Sequence, residues 1–224
     1  MSVTLFVSFV AVPTIALIVF LMTVFFGYKK EWDNYSLKAY LPYEAFERMN
    51  PTTRIIARVF YFIYLASLLP FLAFLVKYSS SYNDQLIVFS VLNMIMGVLC
   101  VGISVALTYV KAVLPKQHLA LAVGHGLVVV VNAFTISSVL NLLRSGNMVS
   151  SKYNYFILGA IIAFVLIASF VIAIFVKKDV YSWEYIEKDG KRSFFALALT
   201  EWIAIFAMYA VYVLSVISIF VVNC

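Results

Sequence analysis

Few side chains in this sequence are equipped for chemistry, and nearly all of them lie inside long apolar runs. Glu201 is the one acidic residue set well within such a run, His125 stands between Gly124 and Gly126, and His118 and Asn132 lie seven residues to either side of His125. On an ideal helix a step of seven nearly repeats, so these three fall within about 40° of each other. A carboxylate and an imidazole on facing helices can share or relay a proton, because imidazole changes charge near neutral pH. Arg58, four residues after Arg54, has a stem long enough to compete for the same carboxylate. The candidate intramembrane polar cluster is therefore Glu201, His125, Arg58 and Asn132.

Depth supports a meeting of Glu201 with His125 or Arg58. Glu201 lies seven residues past Phe194 and His125 six past Leu119, where two apolar runs begin. At roughly 1.5 Å per residue they reach depths of about 10 and 9 Å. Plainer readings stand beside this one: a buried histidine held by a neighbour's hydrogen bond, and a Glu201 that reaches back to the interface to meet Lys191 or Arg192.

A second pattern is Ser90, Asn93, Gly97, Cys100 and Ser104, small and polar residues at steps of three and four. Small side chains let helix backbones approach, and Asn or Ser can bond across the gap. The stripe reads as a helix-packing seam, with a weaker one at Gly159 and Ala163. Cys100 and Cys224 form neither a CxxC nor a metal-ligand spacing. Ligation of one haem by His118 and His125 is excluded, since they sit about 10 Å apart along one helix. Zinc lacks ligands, and no Walker A loop, dinucleotide fingerprint, Gly-x-Ser-x-Gly or His-Glu-x-x-His occurs. No cofactor, no metal and no enzymatic activity are expected.

The elements that carry these residues are membrane spans. Residues 3–28, 55–76, 86–110, 119–143, 155–176 and 194–222 are each long and apolar enough to cross a bilayer, which takes about 20 residues. The chain is 65% hydrophobic and 12% charged, with charges almost confined to the gaps. The expected fold is all-α: a six-helix polytopic bundle arranged as three helical hairpins in a single transmembrane domain.

Orientation follows from basic residues in the short loops. Twelve Lys and Arg fall in the first, third and fifth gaps against three in the others, which places the odd gaps in the cytoplasm and both termini outside. Only Met1 and Ser2 precede the first span, and no basic segment marks a cleavable leader. The short third gap, with Pro115, should make the third and fourth spans the closest pair. Residues 29–54 and 177–193 carry several Tyr and Trp and read as cytoplasmic interfacial loops, with Tyr43 and Phe46 on one side of a short helix and Asn50-Pro51 capping the next.

The net charge of +6 does not imply nucleic acid, because basic loops are what insertion requires and these mix in acidic residues. The partners expected are the lipid bilayer and a membrane-protein partner or a second copy, most naturally in the cell membrane. The sequence favours a non-enzymatic accessory or scaffold subunit of a membrane complex, with a small transporter or channel using the polar cluster as the alternative. A polar, water-accessible cavity lined by His125, Asn132 and Glu201 would support transport, and a tightly packed bundle with those groups paired off a structural role.

Overall fold

The computed structural model describes residues 1–31, 42–82, 84–110, 115–152, 154–176 and 196–221. These residues form eight α-helices and no strand: α1 (Val3–Glu31), α2 (Glu44–Arg48), α3 (Pro51–Ala66), α4 (Leu69–Ser80), α5 (Asp84–Leu107), α6 (Pro115–Ser145), α7 (Tyr155–Val176) and α8 (Ala196–Phe220). Five helical stretches have the length and hydropathy to cross a membrane: Val3–Gly27, Pro51–Ser80, Leu86–Leu107, Lys116–Ser145 and Ala198–Phe220. The uncharged α7, 22 residues long, makes a sixth. Residues 177–193, the second expected interfacial loop, lie outside the described residues.

The helices follow one another around a ring. α1 packs on α3, α4 on α5, α5 on α6, α6 on α7 and α7 on α8, and α8 closes the ring against α1 while also touching α6. Consecutive spans are thus neighbours, and α5 with α6 is the most extensive pair. Large apolar side chains point outward, with Phe164 72% and Val88 69% exposed, while Ser79, Ser90, Asn93, Ser104, His125 and Glu201 are buried. That arrangement suits a bilayer, where lipid tails solvate apolar groups and polar ones must find partners inside.

Local chemistry sets the breaks. Asn50 caps α3, its Oδ1 accepting the Thr53 N–H at 2.9 Å, and Pro51 takes the first helical position. The second span is two helices, because Pro70 cannot donate to a carbonyl one turn back and its ring crowds that turn. The Ser67 carbonyl left near the break accepts the Tyr212 hydroxyl of α8 at 3.3 Å. As a result α3 leans on α1 and α4 leans on α5. Pro13, by contrast, is accommodated within a continuous α1.

α6 ends in a Schellman turn. Asn147 takes φ 56°, the Met148 N–H donates to Leu143 O at 3.0 Å and the Asn147 N–H to Arg144 O at 3.0 Å. The helix also begins earlier than the apolar run, at Pro115, which brings His118 into its first turns. Gly159 of α7 lies so close to α6 that a Cβ there would strike the Ser137 side chain and press on the Ala133 carbonyl at 3.0 Å. The two helices approach where small residues permit.

The short helix α2 is buried against the bundle. Tyr43, Glu44, Ala45, Phe46 and Met49 are all at most 3% exposed, and α2 packs against α1 and α3. Arg54 holds it in place, donating through Nη2 to the carbonyls of Glu47 and Met49 at 3.2 and 2.9 Å. A guanidinium on the last carbonyls of a helix satisfies acceptors that no further turn would use. The expectation that Tyr43 and Phe46 share a face is met, but the face is turned into the bundle.

Candidate buried polar site

The end of the bundle that α2 covers contains a stack of rings. Phe20 of α1 lies 4.7 Å from Tyr61 of α3 and 6.4 Å from Trp202 of α8, centroid to centroid, and Phe46 lies 6.0 Å from Phe20. Within this apolar wall sits Glu201, with the buried Glu44 of α2 also close enough to act on it. Glu201, 2% exposed, meets His118, 0% exposed, with Oε1 2.9 Å from Nε2. Tyr43 of α2 sets its ring edge-on to His118 at 6.2 Å, and its hydroxyl shares a 2.9 Å hydrogen bond with the Tyr61 hydroxyl. Burial, reinforced by Tyr61 and Glu201 nearby, pushes the Tyr43 phenol well above its ordinary range.

The pair can hold one proton between imidazole and carboxyl without burying a net charge. An isolated carboxylate buried among these rings would be expensive. Glu201 Oε2 has no hydrogen-bond partner among the described residues. The site is chemically capable of proton exchange, yet it is roofed by α2 and walled by aromatic rings.

The hydrogen bonds of the other three residues singled out from the sequence go to partners other than Glu201. His125 pairs with Ser104 of α5, Nε2 to Oγ at 2.9 Å, and Tyr61 also interacts with Ser104. Arg58 donates through Nη2 to the Thr108 carbonyl at 2.8 Å and stacks its guanidinium 4.5 Å above the Tyr109 ring. Asn132 offers its backbone carbonyl to Asn93 Nδ2 at 3.3 Å, while its own Oδ1 has no hydrogen-bond partner among the described residues. Glu201 is buried as expected, but its partner is His118 instead of His125 or Arg58.

The depth estimate misled because it was counted from the apolar run and not from the helix. α6 starts at Pro115, so His118 is three residues into it and His125 ten, which is about 4.5 and 15 Å of rise. Glu201 of α8 packs at the level of His118, about 10 Å along α6 from His125. The signal available in the sequence was Pro115 itself, a first-turn residue followed by Lys116-Gln-His118.

The α5 stripe faces the interior and serves several neighbours. Ser90 Oγ meets Ser79 Oγ of α4 at 2.6 Å, Asn93 Nδ2 donates to Thr135 Oγ1 of α6 at 2.9 Å, and Cys100 Sγ lies 3.2 Å from Met208 Sδ of α8. Gly97 abuts Leu72 of α4. Between these helices remains a cavity of about 20 Å³, lined by Gly97, Asn132, Ala133, Met208 and Tyr212 among others. That is about the room one water needs. Among the described residues no three His, Cys, Asp or Glu side chains gather as metal ligands. No family model, curated protein or solved structure matches this chain, so its own geometry carries the functional reading.

Proposed function

We propose that the chain is a non-enzymatic multi-pass subunit, an accessory or scaffold component of a membrane complex, seated in the cell membrane with its odd-numbered gaps in the cytoplasm. One observation supports the reading: the buried Glu201, His118 and His125 each hold a partner on a neighbouring helix. Glu201 is bonded to His118 under α2, and His125 to Ser104. Transport along a polar path needs groups that exchange partners with water or cargo, and a lumen to reach them. The space beside Asn132, about 20 Å³, admits roughly one water. Rigid pairing instead fixes how six spans meet, which is what a scaffold requires.

The test is purification of the tagged chain from its native membranes in mild detergent. A defined membrane protein at fixed stoichiometry is the expected result. Recovery of the chain alone, together with ion or proton flux in proteoliposomes that Glu201→Gln abolishes, would replace this reading with a transporter.

A further inference from the structure

The break in the second span opens a cleft on the outer surface. Because α3 leans on α1 while α4 stays on α5, α3 and α5 diverge, and a cleft of about 250 Å³ lies between them. Its floor is Tyr61 and Thr108. Its walls include Val59, Phe62, Ile63 and Val105, of which Phe62 is 55% exposed and Val59 48%. Arg58 and Tyr109 stand at one end.

Arg58 is held at a defined level. Its Nη2 donates to the carbonyl of Thr108, the residue after α5 ends at Leu107, and its guanidinium lies over Tyr109. A cation and an amphipathic ring at the end of an apolar helix mark the height of lipid headgroups. Capping Thr108 uses one part of a group that has five N–H donors. The Nε–H of Arg58 has no acceptor among the described residues, and neither has that of Arg54 one turn earlier. Among the described residues no acidic side chain lines the cleft.

We propose that this cleft binds an anionic membrane phospholipid, its phosphate against the Arg58 guanidinium and one acyl chain along Val59, Phe62, Ile63 and Val105. The two halves of the site select the ligand together. A guanidinium matches phosphate in charge and in planar donor geometry, and the exposed apolar walls match a hydrocarbon chain. A neutral lipid would satisfy only the walls, and a free anion only the arginine.

The experiment uses the purified full chain in neutral detergent, melted with added phosphatidylglycerol or with phosphatidylcholine of the same acyl chains. Phosphatidylglycerol should raise the melting temperature beyond phosphatidylcholine, and the excess should vanish in Arg58→Gln and in Val105→Trp. The second variant keeps the arginine and fills the cleft, so it decides the question if loss of the Thr108 cap unfolds the first. Equal stabilisation by the two lipids overturns the site. So does an excess that survives in Val105→Trp, which would place the headgroup on a surface charge without a seated chain, or one reproduced by inorganic phosphate, which would mean a free-anion site.

Discussion

His118 Nε2 stands 2.9 Å from Glu201 Oε1, joining α6 to α8 across 83 residues of sequence. Neither side chain has an alternative in lipid, so the contact ties together the two helices that meet across the ring. Tyr43 and Trp202, both nearly inaccessible, close the same end.

Removing one member of this pair should cost far more than removing both. His118→Ala strands a carboxyl group in an apolar wall, and breaking a buried ion pair in this way costs about 3–5 kcal/mol. His118→Leu combined with Glu201→Met leaves nothing unpaired and should recover most of that loss. Thermal melts in detergent compare the three proteins. A single variant as stable as the parent would mean that the pair contributes no net stability.

Three glycines should rank by what a methyl group would strike. At Gly159 it meets Ser137 and, at 3.0 Å, the backbone carbonyl of Ala133, which cannot yield without moving α6. Gly159→Ala is expected to cost about 1–3 kcal/mol by overpacking. At Gly97 the obstacle is the flexible end of Leu72, beside a small cavity, so Gly97→Ala should cost less, while Gly97→Leu overfills the space. At Gly102 nothing lies within 4 Å, and alanine should be neutral or stabilise the helix by up to about 1 kcal/mol. Melting temperatures in another order would contradict these packing assignments.

Tyr43 gives the fold an alkaline weakness. Its folded-state phenol holds its proton more tightly than an exposed tyrosine, whose pKa is about 10. The stabilisation is therefore complete below about pH 10 and is lost as pH rises through the folded value. Tyr43→Phe cannot ionise and should flatten part of the decline in melting temperature above pH 10, at a cost near neutrality of about 1 kcal/mol for the lost Tyr61 hydrogen bond. An unchanged alkaline slope would show that the other buried tyrosines account for it.

The orientation is open to direct labelling. With basic residues concentrated in the odd gaps, Ser81→Cys should react with an impermeant thiol reagent from outside intact cells and Ser36→Cys should not. The opposite pattern would invert the bundle.

The helical class, the number of long apolar runs and the Asn50-Pro51 start of α3 were legible in the sequence, because each depends on local properties: unbroken apolar length, a capping side chain, a proline's missing donor. So was the burial of Glu201, His125 and the Ser90–Ser104 stripe, since hydrocarbon excludes polar groups wherever they fall. Which of those groups meet was decided by tertiary structure. His118 and His125 share a face of α6 but lie about 10 Å apart along it, so the level at which α8 packs against α6 made His118 the partner of Glu201. Likewise, Pro70 announced a bend, but the leaning of α3 toward α1 and away from α5, and with it the cleft at Arg58, came from how the neighbouring helices packed. α2, five residues long, has no hydrophobic period of its own to reveal that Tyr43 and Phe46 turn inward. Only the aromatic rings of three other helices gave it a place to be buried.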